Sequence, residues 1–290
     1  MHGNALRGTY GKRLDVSVAD AHQDGKRLVS ELVYKDEAAS AYDRAIGHVS
    51  THFLPFLLRA ARLAPGQRVL DAATGTGIAA QAALAVVGPG GHVTAADISQ
   101  AMVDRARQRL AGSPNTSVAV EDCQSLTFDD GSFDTVLCSL ALMFFPDPAR
   151  GLSEFHRVLR PGGCAAVSVT TTPERSYVGR INALIARRVP SLAEATSRMF
   201  SLGDEARLRS LFEQAGFRDV ETMTEAHSFM LPSFGAYFEP FAQGGGSTGQ
   251  AYLGLPAADR RAVREELRRS LDIAGPIAIE VEMRFASGYR

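Results

Sequence analysis

Apolar residues form two different patterns between residues 68 and 171, and segments with the two patterns alternate. Short apolar runs that are typical of buried strands occur at 68–71, 92–97, 118–122, 133–139 and 164–169. Between these runs, apolar residues recur every three or four positions, which is the period of an amphipathic helix. Because strands that alternate with helices form parallel sheets, we expect a doubly wound α/β fold with helices on both faces.

Capping residues predict the ends of several helices in this region. A helix is expected over about 78–87, and Ser99 is the expected N-cap of the next helix, which stops at Gly112. Asp147 and Asp204 are likewise expected to cap the first turns of two later helices. These polar residues can accept hydrogen bonds from the free N–H groups at a helix start.

The N-terminal part of the chain precedes the alternation and is assigned to an arm and a cap. Residues 1–30 lack any periodicity, so we expect a loosely held arm. The apolar residues of 30–63 fit two helices, with a break near Gly47 or Pro55. The sequence therefore predicts an N-terminal arm and helical cap over 1–64.

The α/β domain is expected to occupy 65–290 and to carry two lid insertions. The first, at about 173–202, holds a helix that is not needed to connect two strands. The second, at about 230–256, is rich in aromatic residues and glycine and is interpreted as a loop. Apolar and polar residues alternate over 277–285, which predicts the last strand.

The composition is that of a globular protein from a reducing compartment. Of the 290 residues, 45% are hydrophobic, and the formal net charge of −1 provides no general attraction for nucleic acid or an anionic membrane. The three cysteines are expected to be buried thiols. The start of the chain lacks a signal-peptide core, and no apolar run reaches the roughly 18 residues that span a bilayer. We therefore expect a cytoplasmic protein without nucleic-acid or membrane partners.

Two glycines and an acidic residue predict a site for an adenosine-containing cofactor. Gly75 and Gly77 lie in the turn between the first strand and the first helix, where the absence of a Cβ lets the backbone approach a ligand. Asp97 follows Gly77 by 20 residues and closes the second strand. An acid at that strand tip can accept hydrogen bonds from ribose hydroxyls.

The glycine turn alone does not separate two classes of enzyme. Its letters also satisfy the Gly-x-Gly-x-x-Ala form of a dinucleotide site, so a nicotinamide-dependent oxidoreductase remains an alternative. The arrangement of the neighbouring motifs is more specific. Asp71 precedes the glycines, Glu121-Asp122-Cys123 lies at the end of the third strand, and Arg157-Val-Leu-Arg-Pro-Gly-Gly163 leads into the fifth.

Together these motifs resemble the class I S-adenosylmethionine-dependent methyltransferases, in particular the small-molecule branch that includes the ubiquinone/menaquinone biosynthesis enzymes. The resemblance implies a Rossmann-like sheet of seven strands whose last strand, here 277–285, is antiparallel. It also implies methyl transfer from S-adenosylmethionine to an O, N or C nucleophile of a small molecule by in-line displacement, with S-adenosylhomocysteine as product. A non-catalytic cofactor-binding protein is a further alternative.

The resemblance also assigns cofactor contacts to positions of this sequence. Asp71, Gly75 and Gly77 would surround the methionine part, Asp97 the ribose, and Asp122 the adenine amino group. Ser139 and Leu140 would border the sulfonium. The full implied set is Tyr42, Asp71, Ala73, Gly75, Gly77, Asp97, Ile98, Met102, Asp122, Cys123, Ser139 and Leu140. Ala73 stands where the family usually has its first glycine.

The catalytic requirements and the acceptor are less sharply predicted. Aligning donor and acceptor can suffice for this chemistry, but an oxygen acceptor of high pKa also needs a base. The residues after the fourth strand, 140–145, are wholly apolar, so His48 and His52 are the candidate bases. They lie four residues apart with no evident third ligand, and we expect no metal site. We expect a small, apolar or aromatic acceptor beneath a roof formed by the N-terminal helices and the two lids.

Overall fold

The structure is a computed structural model that describes residues 41–190, 197–271 and 275–290. A seven-stranded sheet lies at the centre of these residues. All of these residues belong to one compact unit. The strand order is β3-β2-β1-β4-β5-β7-β6. The strands are β1 (Arg68–Ala72), β2 (His92–Asp97), β3 (Thr116–Val120), β4 (Phe133–Ser139), β5 (Leu159–Thr170), β6 (Arg218–Leu231) and β7 (Ile277–Tyr289).

Nine α-helices accompany the sheet in these residues, together with a π-helical turn (Asp43–Gly47) and a 3-10 turn (Leu142–Phe144). The helices are α1 (His48–Ala60), α2 (Ile78–Val87), α3 (Gln100–Leu110), α4 (Pro148–Val158), α5 (Gly179–Arg188), α6 (Glu205–Gln214), α7 (Phe234–Ala242), α8 (Gly246–Leu253) and α9 (Ala257–Ser270). Three predicted caps are confirmed: the side chains of Ser99, Asp147 and Asp204 each accept a hydrogen bond from a backbone N–H of the first helical turn.

The predicted fold class is confirmed. Strands β1 to β5 pair in parallel, whereas β7 runs antiparallel to both of its neighbours, β5 and β6. Because β1 lies between β2 and β4, the carboxyl ends of these three strands meet at one edge of the sheet. In the sheet register Asp71 is opposite both Ala95 of β2 and Leu137 of β4.

The helix before β1 corrects one expectation. Residues 41–60 are helical throughout, so neither Gly47 nor Pro55 breaks the helix. Phe53, Leu54 and Leu57 of α1 are buried against the sheet, and this burial outweighs the backbone hydrogen bond that proline cannot donate. The predicted arm over 1–30 and the first part of the predicted cap lie outside the described residues.

Strand β6 is the longest of the sheet in the described residues, since it spans 218–231 and outreaches the parallel strands. The extra length pairs with the start of β7, where Leu231 is opposite Ile277. Strand β5 ends earlier, with Thr170 opposite Met283. The two antiparallel strands therefore continue past the carboxyl edge as a two-stranded extension, which we call the β6–β7 ribbon (residues 226–231 and 277–282).

The second lid segment is helical, and its interpretation as a loop was wrong. Helices α7 and α8 occupy it, and the glycines between them allow close packing against the helix before β1. A Cβ on Gly245 would lie 2.6 Å from the Ala45 Cβ and 2.9 Å from the Ala41 carbonyl oxygen. Glycine is therefore required here by the close approach of two backbones.

The interior agrees with the interpretation of the cysteines. Cys123, Cys138 and Cys164 are all buried thiols. None of the helices in the described ranges combines the length and the apolar character needed to cross a bilayer.

Candidate active site

The turn between β1 and α2 has an unusual backbone. Ala73, Gly75 and Gly77 have positive φ angles of 54°, 56° and 83°. A Cβ on Gly75 would have no atom within 4 Å, whereas one on Gly77 would lie 3.2 Å from Ala106 of α3. Gly75 therefore borders open space at the carboxyl edge, and Gly77 is needed for close packing of the turn against α3.

Asp97 connects this turn to the end of β2. Its carboxylate accepts hydrogen bonds from the backbone N–H groups of Gly75 and Ser99, each at 2.9 Å. Only 8% of the residue is exposed. Burial raises the pKa of Asp97, and these backbone donors oppose that increase. The bonds fix the carboxylate at the tip of β2, as the ribose-binding interpretation requires.

Asp71 lies behind the turn and is fully buried. One carboxylate oxygen accepts a hydrogen bond from the Thr74 hydroxyl, whereas Oδ1 has no donor among the described residues. Burial raises the pKa of Asp71 to about 7, the nearby charge of Asp97 adds to the increase, and the Thr74 hydroxyl opposes it. The turn therefore encloses a carboxyl group that can hold a proton near neutral pH.

The residues expected around the adenine differ in accessibility. Ile98 is 48% exposed at the tip of β2, and Asp122 is exposed beyond β3. The Asp122 carboxylate accepts a hydrogen bond of 2.9 Å from the Gln124 N–H. Cys123 and Met102 are buried, and burial raises the pKa of the Cys123 thiol. Asp122 and Ile98 can thus contact a ligand directly, whereas the buried Met102 and Cys123 can only support the residues that do.

The wall beyond β4 is apolar. Leu140 has a positive φ of 54°, and its N–H donates to the carbonyl oxygen of Ser168 at 3.0 Å. Ser139, Leu140 and Phe144 are partly exposed. No charged group occurs between Leu140 and Phe145, so this wall can contact an uncharged ligand through van der Waals interactions.

Tyr42 lies beside the π-helical turn on the other side of the site. Burial raises its pKa to about 12, a hydrogen bond with Ser50 opposes the increase, and the charges of Asp43 and Asp97 add to it. The adjacent Asp43 accepts a hydrogen bond from Thr76, so Tyr42 lies next to a residue that contacts the glycine turn. A Cβ on Gly246 would lie 3.7 Å from the Tyr42 ring, so α8 packs against it.

The two candidate bases have different surroundings. The His48 ring is 5.2 Å from the Tyr177 ring and 5.5 Å from the Phe229 ring, both edge to face. Partial burial lowers the pKa of His48, which favours the neutral imidazole. His52 instead stacks on His227 at 3.7 Å. The Phe229 ring also lies 5.4 Å from His52, so the contact that distinguishes His48 is the one with Tyr177 of the first lid segment.

Sequence reasoning missed a polar group that fixes the glycine turn. The Asp43 carboxylate accepts a hydrogen bond of 2.6 Å from the Thr76 hydroxyl and forms an ion pair with Arg109 of α3. Arg109 Nε donates to the Thr76 carbonyl oxygen at 2.7 Å. The only sequence signal for this group is that Asp43 adjoins Tyr42 and Thr76 lies between the two glycines.

These observations fit an adenosine-containing cofactor with a cationic part. The turn offers open space at Gly75, the tip of β2 presents Asp97, and the buried Oδ1 of Asp71 is without a donor among the described residues. Within the same residues, no group of three or more His, Cys, Asp or Glu side chains is placed to hold a metal ion. The set of donors and acceptors therefore suits a nucleoside with a positive charge.

Comparisons with known proteins agree with this geometry. The methyltransferase domain family matches residues 70–167. A demethylmenaquinone methyltransferase of Clavibacter sepedonicus is 38% identical over 202 residues, which are 64% of this chain and 81% of that protein. A ubiquinone/menaquinone biosynthesis C-methyltransferase of Geobacter sulfurreducens is 31% identical over 173 residues, which are 55% of this chain and 68% of that protein.

Solved structures share the fold at lower identity. Phosphoethanolamine N-methyltransferase 2 of Haemonchus contortus, in complex with S-adenosyl-L-methionine, has a TM-score of 0.58 at 18% identity, with 92% of this chain and 60% of that chain covered. The YcgJ protein of Bacillus subtilis has a TM-score of 0.56 at 20% identity, with 82% and 98% covered. With the sequence relatives, these findings show that the chain belongs to the S-adenosylmethionine-dependent methyltransferases and transfers a methyl group from that cofactor to a small molecule.

Proposed function

We propose that the methyl acceptor is a small aromatic or apolar molecule. The observation that carries this proposal is the uncharged wall formed by Leu140 to Phe145, directly beyond the carboxyl end of β4 and beside the glycine turn. A wall without charges favours an acceptor whose reacting ring is also uncharged, because a charged group there would be desolvated without a partner. The demethylmenaquinone in the name of the Clavibacter relative is a quinone and belongs to this class.

The proposed cofactor contacts follow the carboxyl edge of the sheet. Asp97 would bind the ribose, Asp122 and Ile98 the adenine, and Gly75 and Gly77 the methionine part with Asp71 behind them. Ser139 and Leu140 would border the sulfur, and Tyr42 would cover the cofactor from the side of α1. Ala73, Met102 and Cys123 would support these contacts from below. When bound, S-adenosylmethionine supplies a methyl group that is already activated on a positively charged sulfur.

We further propose that two lids and the β6–β7 ribbon form the roof of the acceptor site. Tyr177, Tyr237 and Phe241 are buried and form the interior of this roof, in which the Tyr237 hydroxyl donates to the Tyr177 carbonyl oxygen at 2.6 Å. Phe229 remains partly accessible and His48 is exposed beside them. The burial of these lid residues supports lids at about 173–202 and 230–256. We propose that the methyltransferase domain starts near residue 65 and that the N-terminal cap precedes it.

His48 is the proposed base for an acceptor that must lose a proton. Its neutral imidazole can accept a proton, and its contact with Tyr177 supports a position at the proposed roof. One face of the His52 ring is covered by the stacked His227 ring. The ion pair between Arg59 and Glu225 lies in the same interface between α1 and β6. We therefore rank His48 above His52.

The charge distribution supports a small-molecule partner and a cytoplasmic setting. The arginines at the lid surface include several that are paired with acids, such as Arg264 with Glu239 and both Arg187 and Arg188 with Glu266. Paired arginines create little of the basic field that nucleic acid or an anionic membrane requires. We accordingly propose neither as a partner.

A methyl-transfer assay with labelled cofactor tests the acceptor class. The acceptor panel contains hydroquinones, phenols, aliphatic amines, thiols and phosphorylated amines. We expect turnover with the aromatic acceptors to exceed that with the phosphorylated amines by at least about tenfold, since a charge would be desolvated at the apolar wall. Label found only on the charged aliphatic acceptors would overturn the proposal.

A pair of phenylalanine variants tests the wall itself. Phe144→Ala is expected to raise the KM for an aromatic acceptor by about tenfold and to leave the affinity for S-adenosylhomocysteine nearly unchanged, because one acceptor-facing ring is lost. Phe128→Ala is the matched control, since Phe128 packs on Phe133 at the opposite end of β4. Equal effects of the two substitutions on KM would contradict the placement of the acceptor.

A further inference from the structure

The central residue of the glycine turn is held at two points by residues from two different helical segments. The Thr76 hydroxyl donates to Asp43 at 2.6 Å, and the Thr76 carbonyl oxygen accepts from Arg109 Nε at 2.7 Å. Asp43 and Arg109 are themselves joined by an ion pair. We call these three residues the turn clamp.

The turn clamp is partly shielded from water. The Arg109 side chain is 26% exposed and the Asp43 side chain 36%. Arg109 also lies 3.5 Å from the Gln81 amide oxygen of α2. Partial burial strengthens a charged hydrogen bond relative to one at the surface, so the clamp can order a backbone segment that glycine would otherwise leave free.

Asp43, one of the three residues of the turn clamp, belongs to the helical segment against which the roof packs. Asp43 is the first residue of the π-helical turn and adjoins Tyr42. The glycines at the start of α8 pack against the same turn, where a Cβ on Gly246 would lie 3.2 Å from Ile46. The glycine turn, the segment around Tyr42 and the roof are therefore joined through Asp43.

We infer that Asp43, Thr76 and Arg109 act together as a positioning unit for cofactor binding. The unit holds the backbone between Gly75 and Gly77 in its binding conformation before the cofactor arrives, and it fixes Tyr42 beside that turn. Preordering of this kind improves affinity because less conformational entropy is lost on binding. The inference depends on the family's cofactor and is independent of the proposed acceptor, so failure of the acceptor assay leaves it unaffected.

Calorimetric titration with S-adenosylhomocysteine tests the unit without any turnover. Thr76→Val removes the hydroxyl and changes no charge, so we expect the affinity to fall about tenfold, whereas Thr76→Ser keeps the hydroxyl and stays within about twofold of the wild type. Asp43→Asn and Arg109→Gln should each cost about tenfold. Because the residues act as a unit, the double variant should lose about as much as either single variant.

Two further measurements separate positioning from a general loss of structure. Arg107→Gln is the matched control, since Arg107 lies on the same helix and pairs with Asp104 at the surface; its affinity should stay within about twofold of the wild type. Amide hydrogen exchange at residues 74–78 of the cofactor-free protein should accelerate in Thr76→Val and remain slow in Thr76→Ser. Should a charge variant fail to fold, the two Thr76 variants decide the question.

Either of two results would overturn the inference that Asp43, Thr76 and Arg109 act as a positioning unit. One is a folded Thr76→Val variant that binds S-adenosylhomocysteine with wild-type affinity. The other is a double variant of Asp43 and Arg109 that loses about 100-fold, the product of two independent tenfold effects.

Discussion

Replacing the buried carboxyl of Asp71 by an amide should make the protein more stable at neutral pH. Asp71 is fully buried, and its Oδ1 has no donor among the described residues. Its pKa rises from an ordinary value near 3.8 to about 7 because burial disfavours the charged form. The native state therefore binds this proton more tightly than the unfolded state, so the stability falls as the pH rises from about 3.8 to about 7.

The magnitude follows from the two pKa values. Each pKa unit corresponds to about 1.4 kcal/mol, so the full penalty above pH 7 is at most about 4 kcal/mol. The penalty is absent below pH 3.8 and grows as the pH rises toward 7. Asp71→Asn removes it but buries an amide N–H₂ without an acceptor, which costs about 1–3 kcal/mol. We therefore expect a net gain of about 1–3 kcal/mol at pH 8, and this advantage over the wild type should be smaller by about 2–3 kcal/mol at pH 5, where the native wild type still holds the proton.

Urea unfolding of the cofactor-free protein between pH 5 and 8.5 measures both effects. The stability advantage of Asp71→Asn over the wild type should shrink as the pH falls through this range. Asp129→Asn, which changes an exposed carboxyl, is the control and should leave the pH dependence of stability almost unaltered. If the stability difference between wild type and Asp71→Asn were the same at every pH, the reasoning about the buried carboxyl would be refuted.

Three further substitutions test the turn and the roof. Ala73→Gly should stabilise the protein against urea by about 1 kcal/mol, because Ala73 has a φ of 54°, and no gain would contradict this account of the backbone strain. Gly245→Ala should lower stability by about 1–3 kcal/mol through overpacking, whereas Gly254→Ala, whose Cβ would make ordinary contacts, should be nearly neutral in the same unfolding assay. Asp97→Asn should weaken S-adenosylhomocysteine binding in calorimetry by about 1–3 kcal/mol, and unchanged affinity would remove Asp97 from the cofactor site.

The central sheet was predictable from sequence because its signals are local. The runs at 92–97 and 133–139 match β2 and β4 residue for residue, and Ser99 caps α3 as expected. Each signal depends on a few adjacent residues whose conformational preferences agree with the tertiary structure. The positions of Gly75 and Asp97 at one edge of the sheet follow from the same local pattern together with the parallel topology.

The errors occur where distant contacts decide the conformation. Residues 244–246 were interpreted as part of a loop, yet the approach of Ala45 and Ala41 explains the glycine at position 245 and leaves α8 helical. Pro55 is tolerated in a helix because its neighbours are buried against the sheet. Arg109 could not be linked to the glycine turn, since 33 residues separate it from Thr76. No local pattern reports contacts of this range.

The same distinction separates the two halves of the site. The cofactor half depends on backbone conformations that short motifs specify, such as the positive φ angles of Gly75 and Gly77. The proposed acceptor half would depend on packing among α1, α5, α7 and the β6–β7 ribbon, for example between His48, Tyr177 and Phe229. If the proposed roof holds the acceptor, substitutions in it would change the acceptor without altering the cofactor motifs. The turn clamp connects these two parts of the described structure. Asp43 contacts the glycine turn, and helix α8 packs against the π-helical turn that contains Asp43.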